Sequence, residues 1–447
     1  MTNVVKETNQ VKQLKKEKLI SLKERMPWVY KILAMFFVFA LFLNYNSTSA
    51  LPKIVGMMTI GIAGLQYLYC VDTKYMLNVA KTSIPFYLQQ VYLLTISCMI
   101  WILDIQAFVY MEPGITRLLY TIINITVAVC AAYVYGKDCI EFAFWGSIIY
   151  HFKMIALAAS RAGISNIIPD VIGTILGEDT GVFMGTLEVN EPTFCVGVFF
   201  LFFWFCDKEM FGKRKYLYIL LSGLFLITGF KRNICGAVAV AIIIGYWMQI
   251  MQKKRRDLHV AIFIGICAII CCIFYIYTIK SSLFINMAMK YGINLMSREG
   301  LYEFIGDQYD FNITFKGRGF GFVEHYLVYV KTLGIKYAGS SLEHIHNDLL
   351  LYYIENGFWG YLGWLIINCI WYPMLCYKHG NSKLCLIYTI INAYNLITFT
   401  TDNMSSSYQV TLTYRLILMG CYATYWLQHK TKDNNNNKSK DKTVKKE

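Results

Sequence analysis

The chain has 447 residues, of which 56% are hydrophobic and 16% charged, with a mean hydropathy of +0.43 and a formal net charge of +14. The apolar residues fall in blocks long enough to cross a bilayer rather than in amphipathic stripes, which excludes a water-soluble globular protein and points to an all-α polytopic membrane protein. The basic excess lies in loops and tails beside those blocks, where it meets anionic lipid, and so gives no argument for nucleic acid.

A basic stretch at 1–27 precedes the first apolar block and is too long for the charged part of an ordinary cleaved signal, so that block is expected to stay as a first helix. At roughly 20 mostly apolar residues per helix, about twelve spans are expected. They lie at 28–45, 53–70, 83–103, 116–135, 140–158, 182–205, 216–230, 233–250, 259–279, 347–375, 384–400 and 408–427. This divides the chain into a basic tail (1–27), a first bundle of about nine helices (28–279), one long polar segment (280–346), three more helices (347–427) and an Asn/Lys-rich tail (428–447). With twelve spans the cations at Lys12, Lys15, Lys16, Lys208, Lys213, Arg214, Lys215, Lys253, Lys254, Arg255 and Arg256 share a side with the Lys-rich C-terminal tail. The positive-inside rule makes that side the cytoplasm, places both termini there, and makes 280–346 extracytoplasmic. Within 280–346 two short helices are expected, one around Leu301, Phe304 and Ile305 and one from Val323 to Leu333, separated by a turn-rich run and suited to lie over the bundle as a lid. The fourteen cysteines fall mostly inside spans, the outer segment has none, and there is no C-x-x-C pair, so neither a disulfide framework nor a metal site is expected.

Ionisable groups inside a bilayer are costly and usually face a bundle interior or a wet cavity. Lys153, Glu191, Arg232 and Arg415 are the clear cases, and the topology gathers all four toward the outer face. Arg232 opens an apolar helix whose N-terminus faces outward, a good seat for phosphate or pyrophosphate; plain snorkelling of Lys231 and Arg232 to headgroups is the alternative. Arg298 either joins that seat or pairs with Glu299 on a solvated helix face. The glycines of Gly317-Arg318-Gly319-Phe320-Gly321 either let backbone N–H groups approach a phosphate or simply form a turn. Glu191, before Pro192, either accepts a hydroxyl proton or forms a structural ion pair with Arg232 or Arg415 at a kink. Lys153 reads as a buried partner for such a carboxylate. His344 and His346 are two apart and so do not share a helix face; one of them aims into the site. His346-Asn347-Asp348 sits at a helix entrance, where Asn347 or Asp348 serves as N-cap and His346 as a proton acceptor near neutral pH, the bland alternative being a cap beside a surface histidine.

At these residues the chain resembles the O-antigen polymerase and O-antigen ligase superfamily, bacterial enzymes that move glycans from undecaprenyl pyrophosphate carriers. The resemblance covers about residues 185–364. It rests on Asn190-Glu191-Pro192-Thr193, Thr228-Gly229-Phe230-Lys231-Arg232-Asn233, Ser297-Arg298-Glu299-Gly300, the Gly317–Gly321 run, and His344-Ile345-His346-Asn347-Asp348 followed by Glu355-Asn356-Gly357-Phe358-Trp359-Gly360. It implies a membrane glycosyltransferase bundle of the GT-C type, Arg232 and Arg298 (with Arg318) on the donor pyrophosphate, His346 activating the acceptor hydroxyl, and no cofactor. It further implies a site on the outer face of the bacterial cytoplasmic membrane, an undecaprenyl-pyrophosphate-linked oligosaccharide as substrate, and the chain-length regulator and flippase of the same pathway as partners. The expected function is polymerisation of lipid-linked repeat units, with ligation of finished polymer to another acceptor as the near alternative and transport of lipid-linked sugars as the distant one.

Overall fold

A computed structural model describes residues 27–42, 51–70, 73–104, 107–176, 181–188, 192–229, 231–254, 256–292, 295, 298–333, 344–379, 381–405 and 407–424. Among these residues the protein is helical and has no strand. The helices are α1 (Pro27–Phe42), α2 (Leu51–Cys70), α3 (Thr73–Lys81), α4 (Ile84–Leu103), α5 (Met111–Tyr135), α6 (Asp138–Ala162), α7 (Ile167–Leu176), α8 (Val182–Glu188), α9 (Pro192–Phe205) and α10 (Lys208–Phe211). They continue as α11 (Arg214–Thr228), α12 (Arg232–Lys253), α13 (Asp257–Lys280), α14 (Leu283–Lys290), α15 (Arg298–Gly306), α16 (Phe322–Thr332), α17 (Asp348–Ile366), α18 (Tyr372–His379), α19 (Ser382–Thr398) and α20 (408–424). Where the windows read from sequence are described they are mainly helical, but window 182–205 holds two separate helices, α8 and α9, rather than one. By length and composition α2, α4, α5, α6, α12 and α13 can cross a membrane.

The bundle turns apolar side chains outward and keeps polar ones in. Ile102, Leu68, Leu220 and Ile243 are all more than two-thirds exposed, while Gln89, Gln90, Asn124, Asn347, Asp348, Glu355, Asn395 and Arg415 are buried. That inversion fits a protein whose outer solvent is hydrocarbon, because lipid leaves polar groups no partner except one another. The protein is membrane-embedded. α1 packs on α6, α2 on α5, α9 on α11, and α12 along α19.

The segment between α13 and α17 contains the two short helices expected there, α15 and α16. Leu301, Tyr302 and Ile305 of the first and Val323, Leu327 and Val330 of the second are buried, and the rings of Phe304 and Tyr326 stack with centroids 5.9 Å apart. The apolar spacing seen in the sequence therefore docks these helices onto the bundle.

The run Gly317–Gly321 is a docking turn, and its partner is a break in α17. Gly357 has φ +68° and ψ −176°, a conformation open essentially to glycine alone. The break frees carbonyls that would otherwise close the helix, and the turn uses them: Arg318 N donates to Ile354 O (2.9 Å), Gly319 N to Glu355 O (2.8 Å), and Phe358 N to Phe315 O (3.0 Å). Phe320 N donates to Ser97 Oγ on α4 at 3.1 Å. Gly317, Gly319 and Gly321 all have φ near +90°. These amides are consumed internally, which favours the turn reading over a phosphate cradle. Since a Cβ at Gly357 would run into the Lys316 backbone, Gly357→Ala is expected to cost about 2 kcal/mol or more, read as a lower thermal midpoint of the detergent-solubilised protein.

Candidate functional site

The N-terminal ends of α12, α15 and α17, the C-terminal part of α13 and the 399–405 turn converge on one cluster. Asn347 caps α17, its Oδ1 accepting from Leu350 N at 3.0 Å. Its fully buried amide then donates to the hydroxyls of Tyr275 (2.9 Å) and Tyr302 (3.2 Å), tying α17 to α13 and α15. Tyr275 in turn donates to Thr400 O at 2.9 Å. Burial raises the Tyr302 hydroxyl above its ordinary pKa, with the Asn347 amide and the charge of Arg298 acting the other way. Tyr302 therefore stays protonated at neutral pH and serves as a fixed hydrogen-bonding post.

His346 stands immediately before this cap with φ +48°, left-handed backbone that a non-glycine residue adopts at a cost of roughly 1–2 kcal/mol. Such strain persists where the surroundings impose it, and it often marks function. Its Nδ1 is buried, makes no hydrogen bond among the described residues, and lies 3.6 Å from Asp402 Oδ1. The other carboxylate oxygen of Asp402 is 3.7 Å from Lys231 Nζ, which also sits 4.6 Å above the Phe194 ring. With about a third of the His346 side chain still accessible, the exposed edge of the ring is the one away from Asp402. A carboxylate facing Nδ1 favours a proton on that nitrogen and leaves Nε2 to accept one.

His344 points elsewhere. It is exposed, 3.9 Å from Glu324, with its ring nearly perpendicular to that of His346. Of the two histidines, His346 is the one turned into the cluster. Asp348 is not the cap; it is wholly buried and accepts from Ser405 N (2.6 Å) and Ser405 Oγ (2.7 Å), fastening the 399–405 turn that carries Asp402.

The other expected site residues divide. Arg232 is the first residue of α12, adjacent in sequence to Lys231, so the positive N-terminal end of that helix abuts the cluster. The Arg232 side chain and Glu191 lie outside the described residues. Arg298 opens α15, its charge felt at Tyr302, and forms no ion pair with Glu299. Arg318 is not brought to the cluster: its Nε donates to Gln308 O at 2.8 Å and the residue lines a separate groove. Arg415 is buried inside the bundle, with Nη1 donating to Asn124 Oδ1 at 2.6 Å. Lys153, expected as the buried partner of a carboxylate, is instead exposed on α6 and forms no ion pair among the described residues, with Nζ 5.8 Å from the Tyr150 ring. Its long stem lets the ammonium leave the packed face.

The groove that takes Arg318 measures about 1420 Å³ and runs past Met99, Tyr277, Lys280, Lys316 and Trp359. α13 connects it to the cluster, giving Tyr277 and Lys280 to the one and Tyr275 to the other.

Sequence reasoning missed three residues that organise this end of the protein. In the sequence Asp402 is one acid in the short stretch between the windows 384–400 and 408–427, and Lys231 is only the neighbour of Arg232. Arg117 pairs with Glu355 (3.1 Å), and Glu355 Oε1 also accepts from Gly321 N at 3.0 Å. The intramembrane-charge criterion that singled out Arg415 applies to Arg117 as well, but the window 116–135 left it at the margin.

No protein-family model matches the chain, and no curated protein is significantly similar to it.

Proposed function

We propose that the protein is a polysaccharide polymerase that transfers a growing glycan from its undecaprenyl pyrophosphate carrier to the next lipid-linked repeat unit, at the outer face of the bacterial cytoplasmic membrane. The observation that carries this reading is the strained His346, held against Asp402 beside Lys231 and the N-terminus of α12, at one end of an apolar-surfaced bundle. A proton acceptor next to cations suits a reaction whose leaving group is a lipid pyrophosphate. The proposed bundle has about twelve spans of the GT-C kind with both termini cytoplasmic.

In the reaction, the acceptor hydroxyl attacks the anomeric carbon of the donor glycan. The new glycosidic C–O bond forms as the bond to pyrophosphate breaks; the electron pair leaves with the lipid pyrophosphate, and the hydroxyl proton passes to His346. Asp402 stabilises the resulting imidazolium. Arg232 and Arg298, with the helix N-terminus, take up the charge of the departing pyrophosphate, and Glu191 is a second proton-accepting candidate. Alignment and charge neutralisation then supply most of the acceleration. The groove past Met99, Phe311 and Trp359 has an apolar wall that suits the isoprenoid chain of the carrier, with its pyrophosphate at the cluster beside Arg232 and Arg298.

Direct attack predicts inversion at the anomeric carbon. NMR of the product linkage is expected to show the configuration opposite to that of the donor; retention would contradict the mechanism.

A further inference from the structure

A cavity of about 50 Å³ lies within the bundle, below the Ser405 turn, lined by Arg117, Arg415, Gln89, Gln90, Asn392 and Asn395 among others. The Arg117 charge is balanced by Glu355. Arg415 has no such partner. It is only 5% exposed and forms no ion pair among the described residues, its one hydrogen bond going to the neutral amide of Asn124. Its Nε and the second arm of Arg117, Nη2, are buried donors without partners, and both residues line the cavity. The rings of Phe86 and Tyr414, 5.5 and 5.4 Å from the Arg415 guanidinium, add attraction for the cation but no counter-charge.

An uncompensated buried guanidinium is strongly unfavourable in a protein surrounded by lipid. The cavity has one surplus positive charge, two unused charged N–H donors and a lining rich in side-chain amides, which can donate as well. We propose that it is a binding site for a small monovalent anion of the halide class, seated on Arg415. Charge and donor count set the class: one surplus positive charge calls for one negative charge, and two free N–H donors suit a one-atom anion, which, unlike a tetrahedral oxyanion, leaves no further oxygens to satisfy. The cluster around His346 plays no part in this inference, which stands or falls separately from the polymerase reading.

The test is the thermal midpoint of the full-length protein in detergent across chloride, bromide, sulfate and gluconate series at matched ionic strength. Chloride and bromide are expected to give a saturable rise of roughly 2–5 °C that gluconate and sulfate do not, and Arg415→Gln is expected to abolish it. No halide-specific rise, or an equal rise in sulfate, would overturn the proposal. Should Arg415→Gln fail to fold, anomalous scattering from wild-type crystals grown in bromide decides the matter: a bromide peak at the Arg415 guanidinium supports the site, and its absence from the cavity refutes it.

Discussion

Glu355→Ala is expected to lower stability by about 3–5 kcal/mol, because it breaks a buried ion pair from one side only. Glu355 is fully buried, its carboxylate held 3.1 Å from Arg117 and accepting from Gly321 N, so it joins α5, α17 and the glycine turn at one point. Removing it leaves a guanidinium without a counter-charge and an amide without an acceptor. The penalty belongs to the orphaned partner rather than to the pair, so replacing both residues with methionine is expected to recover most of the loss. Thermal unfolding of the single and double variants, read alongside the yield of folded protein in membranes, checks this. A single variant within about 1 kcal/mol of wild type would show that water reaches Arg117 and that the pair does not hold the turn.

His346→Gly is expected to separate activity from stability. Deleting a general base typically costs about 10²–10⁴-fold in rate, and glycine also removes the backbone strain at φ +48°. The variant should be slower by that factor with a thermal midpoint equal to or above that of wild type. Asp402→Asn should follow in the same direction with a smaller loss, since it keeps the packing while removing the charge that faces both His346 and Lys231. If His346→Gly kept its rate, or if its rate fell only as its folded fraction fell, the imidazole would be structural and the strain at this position would need another account.

The parts of this architecture that were legible in the sequence are those encoded locally. Runs of apolar residues marked the helices, the period of Leu301, Phe304 and Ile305 marked α15, and a cap at Asn347 or Asp348 was readable because capping is decided within a few residues, though which of the two caps was not. His346 stood out for the same reason, as a titratable group at a helix entrance. What stayed hidden depends on chain segments that meet only in the folded bundle. Arg117 and Glu355 are 238 positions apart, and nothing near either one names the other. The resemblance made Arg318 a pyrophosphate ligand, yet its guanidinium is committed to Gln308 O and its backbone N–H to Ile354 O, a carbonyl left open because α17 breaks at Gly357. Lys153 was counted as interior because it lies in an apolar run, whereas facing is set by the rotation of α6 against its neighbours, and that rotation places it outside. Asp402 illustrates the converse: an acid in a short loop became the partner of His346 once Asp348 and Ser405 fixed the loop over α17.

The claim that matters most is that this site joins lipid-linked repeat units to one another. The most direct measurement is reconstitution of the purified protein with the cognate undecaprenyl-pyrophosphate-linked repeat unit as the sole substrate, with products resolved by length on a gel. The account predicts a ladder of increasing polymer, lost when His346→Gly replaces wild type. Product formed only after a second, different acceptor is added would make the protein a ligase, and no product under either condition would contradict a glycosyltransferase.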